Sequence, residues 1–119
     1  MIQVKTAFVL GGGGLLGAVE VGMLRALLER HLLPDLVLGT SVGPLNGAIV
    51  AHAPSLASVE RMRALWCGSD LAQEIYNDSP LRSMRRAFAS GTHVADPGPI
   101  RRLLGAELGA ATFADLPVP

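Results

Sequence analysis

The chain is poor in the residues that most often announce a function. It has one cysteine, three histidines, one tryptophan, one tyrosine and three phenylalanines, and its formal net charge is zero. A single cysteine excludes an internal disulfide and a thiolate metal cluster. Cys67 follows Trp66 in an apolar stretch and is expected to be a core thiol. The histidines share no metal-ligand spacing, so no metal site is expected. Ten basic side chains balance ten acidic ones, which leaves no global attraction to nucleic acid. A clean membrane-spanning run is missing too. Ala7 to Val19 is apolar, but it contains Gly11-Gly12-Gly13-Gly14 and is followed by Glu20, a poor membrane helix and a poor signal-peptide core. These absences favour a soluble, cytoplasmic chain. Its 119 residues suit one domain, yet are few for a complete α/β hydrolase sheet.

Glycine and aliphatic residues are plentiful. Fourteen glycines and a hydrophobic content of 50% suit helices packed closely on a parallel sheet. Thr6 to Leu10 is a short apolar run ended by glycines, predicted to be a buried parallel strand. Ala18 to Arg30 is predicted to be a helix, with Arg25 and Glu29 paired on its wet face. Pro34-Asp35 breaks the chain before a second strand, Leu36 to Leu38, and Pro44 to Ala51 is predicted to be the next helix. Ala18, Gly22 and Ala26 on the first helix, and Gly43, Gly47 and Ala51 on the second, form stripes of small residues that permit close backbone approach. Beyond Ala53-Pro54 the pattern is helical over 55–110. Ser55 caps a helix ending near Trp66, Ser79-Pro80 opens a second at Leu81 to Ala89, and Asp96-Pro97 opens a third ending near Gly105.

Two glycine motifs stand at the ends of the two strands. Gly39-Thr40-Ser41-Val42-Gly43 lies between strand and helix, the context of a nucleophile elbow. Gly39 and Gly43 have no Cβ to crowd so tight a turn, and Ser41 stands above a helix N-terminus that favours negative charge. The plainer alternative is a Gly-Ser turn with Ser41 as an N-cap. The other motif, Gly12-x-Gly14-x-x-Gly17, has the form of a dinucleotide fingerprint. A dinucleotide site also wants an acidic residue near the end of the second strand, where this chain has Gly39-Thr40-Ser41. A P-loop needs Lys then Ser or Thr, and Gly17 is followed by Ala18-Val19. No nucleotide cofactor is therefore expected. Adjacent parallel strands end on one edge of the sheet, so the amides of Gly12, Gly13 and Gly14 share an edge with Ser41, where they can form an oxyanion hole.

Together these residues resemble the patatin-like phospholipase family. The likeness rests on Gly12 to Ala18, on Val21-Gly22-Met23-Leu24 and on Gly39 to Ala48. It is strong over residues 6–53 and loose beyond. It implies the N-terminal part of one parallel-sheet, three-layer α/β hydrolase domain, truncated in this sequence. It also implies a lipid acyl hydrolase with a Ser-Asp dyad, in which Ser41 is the nucleophile, Gly12, Gly13 and Gly14 supply the oxyanion hole, and Gly17, Gly39 and Gly43 shape the motifs. The partner is then a lipid or ester substrate, with transient contact at a membrane surface. Two departures stand out. Leu16 occupies a position where many members carry Arg or Lys, and no aspartate here is followed by glycine, as the family's catalytic aspartate is.

The remaining side chains offer no substitute base. His52 lies eleven residues past Ser41 on one helix, roughly 16 Å away at the standard rise, and it suits the helix C-terminus, as His31 does. His93 sits in a polar loop. Asp35 precedes the strand whose far end carries Ser41, and Asp70, Asp78, Asp96 and Asp115 sit where capping is the ordinary role. Residues 79–106 contain five arginines and one acid, Asp96, a basic face suited to solvent or to an anionic membrane surface. The competing classes are a non-catalytic binding module on the same fold start and a nucleotide-binding βαβ unit.

Overall fold

The computed structural model describes residues 5–68, 89, 98–109 and 112–119. Two parallel strands, β1 (Ala7–Leu10) and β2 (Leu36–Gly39), pair in the register Ala7↔Leu36 through Leu10↔Gly39. They are joined by a 3₁₀ turn (Gly14–Leu16) and helix α1 (Gly17–Glu29). Helix α2 (Gly43–His52) follows β2, then α3 (Leu56–Cys67), α4 (Gly98–Leu108) and a 3₁₀ turn at Phe113–Asp115. The βαβ unit read from the sequence is present, with helix ends within one or two residues of expectation in α1 to α3. Of the helix predicted at Leu81 to Ala89, only Ala89 is among the described residues, and it is helical. α4 continues past Gly105, where a side chain would meet nothing among the described residues, and stops before Gly109, whose φ is +66°.

One face of the sheet builds the core. Phe8 and Leu10 are buried with Val21, Leu24 and Leu28 of α1, Leu45, Ile49 and Val50 of α2, Val59 and Met62 of α3 and Leu103 of α4. α2 is apolar on nearly every side and is buried accordingly. Its small stripe lies on the sheet. A Cβ at Gly47 would stand 3.1 Å from Val37 Cγ1 and 3.6 Å from Leu10 Cδ1. The stripe on α1 behaves differently. Ala18, Gly22 and Ala26 are exposed, and a side chain at Gly22 would touch nothing among the described residues.

The opposite sheet face is uncovered among the described residues. Val9 and its register partner Leu38 are 71% and 49% exposed. At the edge of β2 away from β1, the Val37 N–H donates to the Pro119 carbonyl at 2.9 Å, and the Val118 N–H donates to the Ala51 carbonyl. The segment ending in Pro119 thus lies where a third strand would pair.

Local chemistry finishes the elements. Ser55 caps α3 by accepting the Ser58 N–H. The Arg25–Glu29 pair forms at 2.8 Å, and Glu60 of α3 joins it by accepting from both Arg25 and Arg63. α1 ends with His31 at φ +57°, where the His31 and Leu32 amides donate to Leu28 and Leu27, a Schellman arrangement usually closed by glycine. His31 therefore ends the helix through its backbone. Cys67 corrects the sequence reading, since it is exposed. It occupies the last position of α3, whose buried side is carried by Ser58, Val59 and Met62, with Trp66 packed against the core.

Candidate active site

The turn from β2 into α2 is tight because backbone packs on backbone. The Thr40 N–H donates to the Leu10 carbonyl, and the Gly43 N–H donates to the Thr40 carbonyl. A Cβ at Gly39 would stand 2.6 Å from Pro44 N, and one at Gly43 would collide with the Leu10 carbonyl oxygen. Only glycine fits either position. Between them Ser41 takes φ +56°, a left-handed conformation that costs a non-glycine residue roughly 1–2 kcal/mol. Such strain concentrates at functional sites. The N-cap alternative for Ser41 finds no support. The residue preceding α2 is Val42, no side-chain cap bond is made, and an N-cap residue would be extended.

The glycine loop lies beside this turn. A Cβ at Gly12 would stand 3.2 Å from Ser41 Cβ, 3.7 Å from the Thr40 carbonyl oxygen and 3.9 Å from Ser41 Oγ. Gly13 and Gly14 have φ of +148° and +60°, and the Leu16 N–H closes the turn on the Gly13 carbonyl at 3.1 Å. Gly17 begins α1 under Trp66 and Val42, whose carbons would stand 2.7 and 2.9 Å from a Cβ there. The structure thus gathers the loop and the serine at one edge of the sheet.

The model of the patatin-like phospholipase family matches residues 8–118. The chain belongs to this family. It is 50% identical over 58 residues to the patatin-like phospholipase domain-containing protein ZK370.4 of Caenorhabditis elegans, covering 49% of this chain and 4% of that protein. It is 37% identical over 86 residues to patatin-like phospholipase domain-containing protein 7 of Rattus norvegicus, covering 72% and 6%. With lysophospholipase NTE1 of Mycosarcoma maydis it shares 34% identity over 100 residues, covering 74% and 5%. The chain therefore spans about a twentieth of the length of these relatives. No solved structure matches it.

In this patatin-like chain, the described carboxylates of Asp35 and Asp115 are occupied with backbone. Asp35 lies just before β2, at the end of the sheet remote from Ser41, and its Oδ2 accepts the Thr6 N–H at 2.9 Å and the Lys5 N–H at 3.0 Å. Those bonds hold its pKa below the ordinary 3.8. Asp115 forms a capping box with Thr112, and the Thr112 amide and hydroxyl likewise hold its pKa down. Asp70, Asp78, Asp96 and His93 lie outside the described residues. His52 closes α2 at the end opposite Ser41, with its Nδ1 buried and without a hydrogen-bond partner among the described residues. Among the described residues, no group of three His, Cys, Asp or Glu is placed to hold a metal, and no helix is long and apolar enough to cross a membrane.

Asn46 is a residue whose part the sequence reading missed. It is wholly buried on α2. Its Nδ2 donates to the Gly17 carbonyl and to Glu20 Oε2, and its Oδ1 accepts from Trp66 Nε1, each at 2.9 Å. The partners lie 20 to 29 residues away in sequence, so no local spacing could reveal them.

Proposed function

We propose that this chain carries the nucleophile and oxyanion-binding loop of a lipid acyl hydrolase. Ser41 Oγ attacks the ester carbonyl carbon, and the carbonyl oxygen becomes an oxyanion facing the amides of Gly12, Gly13 and Gly14. When the tetrahedral intermediate collapses, the bond to the leaving alcohol breaks and the alcohol takes up a proton. Water then attacks the acyl-serine, which releases the fatty acid and restores the hydroxyl. Each oxyanion donor is worth roughly 3 kcal/mol in acyl transfer.

A serine hydroxyl needs a base to take its proton. The family resemblance makes that base an aspartate followed by glycine, and no aspartate in the sequence has that neighbour. We therefore assign the base to a carboxylate outside these 119 residues. The substrate class is a lipid carboxylic ester, and the name of the Mycosarcoma maydis relative makes a lysophospholipid the first to try.

The observation that carries this reading is the left-handed Ser41 with Gly12 against it. The test is reaction with an alkyl fluorophosphonate at pH 9, where hydroxide can serve as base, with the adduct located by mass spectrometry. Ser41 should react faster than Ser55 or any other serine, and Ser41→Ala should leave no fast-reacting site. A Ser41 no faster than Ser55, or fast labelling that survives Ser41→Ala, would overturn the assignment.

A further inference from the structure

The glycine loop has few anchors of its own. A side chain at Gly11 would meet nothing within 4 Å among the described residues, and glycines offer no side chains to pack. The loop's position relative to Ser41 therefore depends on what holds its two ends. The N-terminal end is fixed by the sheet, because Leu10 belongs to β1 and its carbonyl accepts the Thr40 N–H. The C-terminal end is Gly17, whose N–H points back to the carbonyls of Gly14 and Leu15.

Gly17 is gripped by residues that follow Ser41. Val42 and the Trp66 ring leave no room for a Cβ on it, and Asn46 donates to its carbonyl. The Asn46 amide can take only one orientation. Its NH₂ faces two acceptors, the Gly17 carbonyl and the Glu20 carboxylate, and its carbonyl faces the indole N–H. A flip would set acceptor against acceptor and donor against donor. With Asn46 fully buried, each lost partner would stay unpaired.

We propose that Asn46 is a positioning residue that fixes the glycine loop against Ser41, through Gly17 and its bond to Gly14. This rests on the hydrolase reading above and adds to it the device that holds the oxyanion donors in register with the nucleophile. Asn46 touches no reacting atom. A displacement of about 1 Å in such donors is enough to lose a large part of their effect.

The experiment uses the full chain and the same fluorophosphonate at pH 9, with the rate at Ser41 split into the maximal rate kinact and the half-saturating concentration KI. Amide exchange of Gly12, Gly13 and Gly14 is followed by NMR. Asn46→Leu keeps the bulk and removes the amide, whereas Asn46→Ser leaves a small gap and carries the test where the leucine variant does not fold. Leu28→Ala, a core truncation at the far end of α1, controls for lost stability. Either Asn46 variant should lower kinact at least tenfold, leave KI within twofold and speed exchange at the three glycines. Leu28→Ala should leave kinact within twofold. A fast wild-type Ser41 with kinact unchanged in both folded Asn46 variants, or lowered equally by Leu28→Ala, would overturn the positioning role and leave the hydrolase reading standing. A wild-type Ser41 no faster than Ser55 would sink both together.

Discussion

Ser41 and His31 share one backbone conformation, at φ +56° and +57°, for different reasons. At Ser41 the strain holds a hydroxyl at the end of a strand, and stability is given up for that placement. Glycine would relieve it at some cost in unfolded-chain entropy. Ser41→Gly should raise the stability of the chain by roughly 0.5–1 kcal/mol while removing all fluorophosphonate reaction at that site. Urea melts and labelling of the same sample check both halves, and a destabilised Ser41→Gly would show that the strain is not there. Asp35 contributes to the acid limb of stability. Its carboxylate is held below its ordinary pKa by the Thr6 and Lys5 amides, so the folded state favours the ionised form. That contribution is present above the unfolded value of about 3.9 and is lost as pH falls through the lower folded value. The urea midpoint should drop between pH 6 and pH 3 in the wild type, and drop less in Asp35→Asn. Parallel slopes in the two proteins would remove Asp35 from the account. The tight turn at Ser41 could be read from sequence because the demand for small neighbours leaves a local trace in Gly39 and Gly43. Asn46 left no such trace, since its three partners come from distant parts of the chain.

Among the elements, those bounded by glycine, proline or a capping serine were legible. β2, α2 and α3 begin and end close to such residues, and Ser55 caps α3 as its position suggests. The readings that went astray needed information about the neighbours. A stripe of small residues marks where an approach can occur; the stripe on α2 lies on the sheet, whereas a side chain at Gly22 would meet nothing among the described residues. Cys67 was misread because an apolar neighbourhood does not say which way the last residue of a helix points. α4 outran Gly105 because a glycine ends a helix only where the next turn requires a left-handed residue, and here that residue is Gly109. The end of α1 lends itself to a direct test. His31→Gly should supply the left-handed residue without a Cβ penalty and raise stability by roughly 0.5–1 kcal/mol, with fluorophosphonate reaction at Ser41 unchanged. A loss of stability would mean that the imidazole itself holds the helix end.

At the scale of the whole molecule, the helices share one core with the Phe8 face of the sheet, and the Val9–Leu38 face meets nothing among the described residues. Exposed apolar sheet of this kind binds other apolar surfaces. The isolated chain should bind a hydrophobic dye and associate at high concentration. Val9→Thr with Leu38→Thr should reduce both, with little change in the urea midpoint, because neither side chain supports the core. Light scattering unchanged by the double substitution would place the sticky surface elsewhere. The parallel register bears on a different property, the tolerance of this fold to changes in chain length. Leu10 sits opposite Gly39, so Gly12 and Ser41 meet only while both strands keep their residue count. One codon gained or lost within Ala7–Leu10 or Leu36–Gly39 would shift one side of the site by about 3.3 Å and turn the strand's buried side chains outward. The same change among Leu32, Leu33 and Pro34 falls in a loop, at the end of the sheet remote from Ser41. In a library of single-codon insertions and deletions, surviving variants should therefore gather at the Lys5–Asp35 end and be missing from the two strands that lead to Gly12 and Ser41.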